Sequence, residues 1–204
     1  MSMRIGFGFD SHAFQPGVPL IIGGLEIDHT EGLAGHSDGD VLLHAITDAL
    51  LGAVSAGDIG TFFPPSDPRW KGAASSLFLR TAMEEIHHAG FRIVNLDTCL
   101  VLMRPKIVPI AGDMRARVAE LLEIKPSQVG IKAKTPEGLN QDGVAVAYCT
   151  VLLESLDSPD ALKKLEATAD ADEVNEVVES LVVGVRDTSA LGRKVPAFDT
   201  DDLT

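Results

Sequence analysis

Gly35-His36-Ser37-Asp38-Gly39-Asp40-Val41-Leu42-Leu43-His44 passes from a polar, glycine-bearing loop into an apolar run. From Asp38 to about Val54 the apolar positions Val41, Leu42, Ala45, Leu50, Leu51 and Val54 recur at helical spacing, which predicts a helix packed by one face. Ser37 or Asp38 is the expected N-cap, with Asp40 in the first turn, where a carboxylate suits the helix dipole. His44, four residues after Asp40, is then held on a fixed face near the helix start. The free backbone N–H groups of that start, beside His36 and Ser37, favour an anion.

Upstream, residues 3–9 alternate around Ile5, Phe7 and Phe9 and predict a strand. Asp10 and His12 stand two apart at its end, so both side chains leave the same face of the pleat. With His44 they make two histidines and one carboxylate, the ligand count of an open catalytic metal site. Taken singly, an Asp-x-His and a loop-to-helix start are ordinary structural features. Between them, residues 17–27 read as a β-hairpin turned at Gly23-Gly24.

The 204 residues suffice for one domain with its own core. No apolar run approaches the roughly 18 residues needed to span a bilayer, and no basic-then-apolar leader opens the chain, so a soluble, cytoplasmic protein without a membrane partner is expected. The formal net charge of −13 argues against a nucleic-acid partner, which needs a basic surface, but leaves room for a phosphorylated small molecule held by an ion and local lysines. Cys99 and Cys149 lie in apolar runs and are expected to be buried free thiols.

Farther along, Asp48 follows His44 by one helical turn and is expected either to accept from that histidine's outer ring nitrogen or to be solvated. Residues 57–64 read as a turn-rich loop. Helices are predicted over about 73–89 and 110–122, and strands over 91–103, 128–133 and 144–153. His87 and His88, adjacent on a helix, are read as surface residues.

From Met3-Arg4-Ile5-Gly6-Phe7-Gly8-Phe9-Asp10-Ser11-His12 to about residue 154, the chain resembles the 2-C-methyl-D-erythritol 2,4-cyclodiphosphate synthases of the non-mevalonate isoprenoid pathway. The resemblance implies an α/β (α+β) domain over residues 1–154, a mixed sheet packed against helices. It also implies a homotrimer with active sites between subunits. It assigns Zn²⁺ or another divalent transition metal to Asp10, His12 and His44, and Mg²⁺ or Mn²⁺, bridging substrate phosphates, to Glu137. His36 and Ser37 would contact the substrate's diphosphate. Asp58 and Gly60 would hold the ribose of a cytidine diphosphate substrate, a task that suits a carboxylate facing two hydroxyls. The segment Pro105-Lys106-Ile107-Val108 and Ala133 would hold the cytosine. Lys134 and Thr135 would lie at the phosphates, and Thr135 and His36 count as catalytic. The implied reaction is cyclisation of 4-diphosphocytidyl-2-C-methyl-D-erythritol 2-phosphate with loss of CMP, a phosphorus–oxygen lyase activity.

The chain departs from the family pattern in three places. Pro65 stands where an aspartate is usual, Lys134 where a threonine is frequent, and residues 140–143 replace a longer loop ending in Gly-Arg-Gly-Glu, whose arginine lines the trimer cavity. These departures leave open a nucleotide-binding module without catalysis, and the open metal site leaves a metal-dependent phosphatase as the other alternative. Residues 155–204 form an acidic extension. From Glu154 onward there are thirteen acidic and five basic residues. Its first part, from Pro159 to about Val185, has a patchy apolar stripe at helical spacing and is expected to pack on its own or a neighbouring subunit; from Arg186 disorder is expected.

Overall fold

The computed structural model describes residues 2–138 and 143–156. Strand β1 (Met3–Pro16) is longer than its apolar alternation indicates, because it pairs antiparallel first with β7 (Val144–Ser155) and then with β4 (Glu31–Leu33). Strand β5 (Phe91–Val101) runs antiparallel to β7 and parallel to β6 (Val129–Lys134), giving a five-stranded mixed sheet in the order β4-β1-β7-β5-β6. The hairpin of β2 (Leu20–Ile22) and β3 (Leu25–Ile27) turns at Gly23 and Gly24, whose φ values of 65° and 73° are what a tight turn demands of glycine.

Helix α1 (Val41–Ala53) is the centre of the core: Leu42, Leu43, Ile46, Leu50 and Leu51 are all buried. Each such side chain contributes roughly 1.5–3 kcal/mol relative to exposure. The helix lies directly on β1 because Gly6 and Gly8 have no side chains. A Cβ there would stand 1.8 Å from the Ala49 carbonyl oxygen and 1.9 Å from that of Ala45. Helix α2 (Ile59–Phe62) is a single turn, α3 (Ser75–His88) packs on α1 and β5, and α4 (Ala111–Leu121) covers β6.

The α/β expectation holds, with corrections in detail. The N-cap of α1 is Asp40, not Ser37 or Asp38. Its buried carboxylate accepts from the N–H groups of Leu42 (3.1 Å) and Leu43 (3.0 Å), and also from Gly23 (2.8 Å) and Gly24 (2.6 Å), tying helix to hairpin. Burial pushes this carboxyl up to about 6 against the pull of those donors. Within the expected loop 57–64 lies α2, capped by Asp58, and β4 was not expected. Both cysteines are free; Cys149 is buried, its thiol pushed up to about 12 by burial, whereas Cys99 is only half-buried. His87 and His88 are on the surface as expected. The short loop at 139–142 and the acidic extension beyond Leu156 lie outside the described residues.

Candidate active site

Asp10 and His12 point from β1 toward α1, and the close seat of the helix on Gly6 and Gly8 brings His44 to meet them. Asp10 Oδ2 lies 2.8 Å from His12 Nε2 and 2.9 Å from His44 Nδ1, and the two ring nitrogens are 3.1 Å apart. One donor atom from each residue falls within 4.8 Å of the others, and they form a cluster fit to hold a metal ion. His44 is buried; Asp10 and His12 are half-buried, leaving an open side.

The outer ring nitrogens fix which nitrogen each histidine offers. His12 Nδ1 lies 2.5 Å from the Ala34 carbonyl, which can only accept, so Nδ1 carries the proton and Nε2 presents its lone pair inward. His44 is turned the other way: Nδ1 faces Asp10, and Nε2 lies 2.8 Å from Ser75 Oγ and 3.1 Å from Ser37 Oγ. Ser75 gives its hydroxyl proton to the Asp38 carboxylate, and its backbone N–H donates to the other Asp38 oxygen at 2.9 Å. A carboxylate with two imidazoles, each oriented from behind, fits a divalent transition ion with a coordination position to spare.

Electrostatics agree with that fit. Burial raises the Asp10 carboxyl, but hydrogen bonds from His12 and His44 and their charge outweigh it and hold it well below the usual carboxylate range. Burial lowers His12, and the Asp10 hydrogen bond and charge more than reverse this, leaving it raised.

Around the triad, the loop before α3 holds the stretch from His36 to Asp38. The Gly72 N–H donates to the His36 carbonyl (2.8 Å), the Asp38 N–H to the Ala73 carbonyl (3.0 Å), and His36 Nε2 to the Asp67 carbonyl (3.3 Å). Beneath lie Phe63, Trp70 and Phe78, with Phe63 and Phe78 centroids 4.3 Å apart and Phe78 6.0 Å from His44. Asp48 does not bond His44; half-buried, it accepts from the Ile59 N–H at 2.8 Å, joining α1 to the 58–60 turn. Asp58 accepts from Thr61 N–H (2.9 Å) and Thr61 Oγ1 (2.8 Å), which lowers its carboxyl.

The other expected residues gather elsewhere. Residues 105–108 follow β5, and Ala133 and Lys134 end β6, with the Leu102 N–H donating to the Lys134 carbonyl at 3.1 Å. Thr135 Oγ1 donates to Glu137, whose φ of 48° places it in a tight turn. Val108 is exposed while the Ile107 side chain is buried in the core, leaving only its backbone for a ligand. Strands β1 and β6 are three places apart, about 14 Å at ordinary strand spacing, so these residues stand away from the triad within one chain. Ser75 and its bond to Asp38 were missed in the sequence: a serine opening a predicted helix carries no mark of a histidine 31 residues away.

The model of the YgbB family matches residues 3–154. The chain belongs to that family. A YgbB relative from Koribacter versatilis (strain Ellin345), a 2-C-methyl-D-erythritol 2,4-cyclodiphosphate synthase, is 66% identical over 152 residues, 74% of this chain and 98% of the relative. A solved structure of a synthase of that name superposes with a TM-score of 0.70 at 42% identity, over 74% of this chain and 100% of that one. A CDP-bound form matches with the same TM-score and coverage at 41% identity. The resemblance read from the sequence is thus borne out, and with it the mixed-sheet fold.

Proposed function

We propose that the chain cyclises 4-diphosphocytidyl-2-C-methyl-D-erythritol 2-phosphate to 2-C-methyl-D-erythritol 2,4-cyclodiphosphate with release of CMP, as a cytoplasmic phosphorus–oxygen lyase. The observation that carries this reading is the convergence of Asp10, His12 and His44, each imidazole held by a partner on its far nitrogen. Membership of the YgbB family and the CDP-bound relative supply the substrate class. Among the described residues no helix is long and apolar enough to cross a membrane.

The 2-phosphate oxygen attacks the β-phosphorus, and the bond to the CMP oxygen breaks; no side chain need be a nucleophile, so the protein's work is positioning and charge neutralisation. When bound, Zn²⁺ or a similar ion at Asp10, His12 and His44, and Mg²⁺ or Mn²⁺ at Glu137, supply positive charge to the phosphate oxygens. His36 and Ser37 present donors to the diphosphate, steadied by the 67–73 loop. Asp58 and Gly60 take the ribose, the backbone of Pro105, Lys106, Ile107 and Val108 with Ala133 takes the cytosine, and Lys134 and Thr135 take the phosphates. Both Thr135 and His36 then touch the reacting diphosphate.

Two half-sites far apart in one chain need a second copy. Met3, Ile5, Phe7, Phe9 and Tyr148 form an exposed apolar stripe on the sheet, Phe7 being 63% and Ile5 72% accessible. A homotrimer that covers this face and joins the metal half-site of one subunit to the nucleotide half-site of the next accounts for both features. Residues 1–154 form the catalytic domain, β7 closing it near Ser155, with residues 155–204 an appended acidic segment. Mixed oligomers test the shared site. Asp10→Asn and Glu137→Gln are each expected to be inactive alone, and refolding them together is expected to restore part of the CMP release. A mixture as inactive as its parents would place both half-sites in one subunit and overturn the arrangement.

The raised His12 sets a pH dependence. Below its folded pKa, which lies above that of an ordinary imidazole, the ring holds a proton that competes with the ion, so metal affinity is expected to climb with pH through that range and to level once the ring is neutral, releasing about one proton per ion where the ring starts protonated. Calorimetric titration with Zn²⁺ in buffers of different ionisation enthalpy reads this directly. Affinity flat across the range contradicts it.

A further inference from the structure

We propose that Ser75 and Asp38 act together as the positioning device for His44, through a chain running from the Asp38 carboxylate to the Ser75 hydroxyl to the His44 Nε2–H. This rests on the metal reading of the triad above, and it concerns residues that the triad itself does not include. Ser75 is fully buried at the first position of α3. It holds Asp38 twice, by its backbone N–H at 2.9 Å and by its hydroxyl. A serine hydroxyl has one proton. With that proton committed to a carboxylate, the oxygen can only accept toward Nε2, 2.8 Å away. The consequence is a single allowed tautomer: the proton on Nε2, the lone pair on Nδ1, directed at Asp10 and His12.

The alternatives are less well placed. Ser37 also lies near Nε2, but at 3.1 Å and half-buried, so it is available to turn toward a ligand. A role confined to starting α3 does not explain Ser75 either. The N-cap residue of α3, Ala74, makes no side-chain capping bond, and the backbone N–H of Ser75 already secures the helix start to Asp38 without the hydroxyl. The hydroxyl's distinct task is its contact with the imidazole. His12, by comparison, is oriented by the Ala34 backbone carbonyl, which no side-chain change removes. His44 is thus the triad histidine whose orientation depends on side chains, and carboxylate-linked partners of this kind typically govern metal affinity by about 10–100-fold.

Titration of the purified full chain with Co²⁺, followed by its visible d–d absorption and by calorimetry, tests this without recourse to turnover. Ser75→Ala is expected to weaken Co²⁺ binding by about 10–100-fold and to shift the absorption band, with thermal stability close to that of the parent. Ser75→Thr, which keeps the hydroxyl, is expected to regain the parent band, and Ser37→Ala to stay within a few-fold of the parent Kd. Should Ser75→Ala fail to fold, Asp38→Asn, which leaves the serine in place, decides by the same readout and is expected to weaken binding. A folded Ser75→Ala, or in its stead a folded Asp38→Asn, with the parent affinity and band overturns the proposal alone. A parent chain that binds no Co²⁺, or whose binding survives His44→Ala unchanged, overturns the metal reading and the proposal with it.

Discussion

His44→Ala is expected to lower turnover by about a thousandfold or more while the chain stays folded. The imidazole supplies one of three converging donors, and among the described residues no further histidine, cysteine or carboxylate belongs to that cluster. An ion polarising phosphate oxygens stabilises the transition state by several kcal/mol, and each 1.36 kcal/mol is tenfold in rate. The fold should tolerate the change, because α1 is held by Leu42, Leu43, Ile46, Leu50 and Leu51 and by the Asp40 cap rather than by its histidine. CMP release at saturating substrate, with bound metal measured on the same sample, checks the expectation. Turnover within tenfold of the parent, with metal lost, contradicts it.

Gly8→Ala should have a large effect on stability. Its Cβ would come 1.9 Å from the Ala45 carbonyl oxygen and 2.7 Å from the Ala49 backbone nitrogen. Both are backbone atoms in the middle of α1, so no rotamer relieves the clash, and the helix must retreat by on the order of an ångström. Overpacking of this kind costs about 3 kcal/mol, or roughly 6–12 °C in Tm for a chain of this size. The retreat also draws His44 away from Asp10 and His12, so the folded remainder should lose activity by about a hundredfold. Gly112→Ala in α4, where no atom lies within 4 Å of the added Cβ, is the control and should be neutral or slightly stabilising. Equal Tm for Gly8→Ala and the parent would mean that α1 does not sit on β1 as described.

Much of the fold was legible in the sequence because its main elements carry strong apolar periodicity. Helix α1, α3 and α4 and strands β5, β6 and β7 fall within a few residues of where the pattern places them. What escaped was either short or set at a distance. Strand β4 has three residues and α2 has four, too few for any period to show. The start of α1 shifted to Asp40 because its carboxylate meets N–H groups from a hairpin 16–17 residues upstream as well as its own helix. Asp10, His12 and His44 were recognisable from residue type and spacing. Asp48 has the right spacing to serve His44, yet the helix turns it toward Ile59, and Ser75, on another helix, takes that place. Nor could spacing reveal that Thr135 and Glu137 lie three strands from the triad, since strand order is a property of the folded sheet.

Metal-assisted cyclisation is tested most directly by ³¹P NMR of the purified chain with 4-diphosphocytidyl-2-C-methyl-D-erythritol 2-phosphate, Zn²⁺ and Mg²⁺. The expected result is the appearance of a cyclic diphosphate and CMP in equal amounts, abolished by chelation and restored by adding the ions back. An unchanged substrate spectrum with binding seen by calorimetry would contradict it in favour of a binding module, and release of inorganic phosphate would contradict it in favour of a hydrolase.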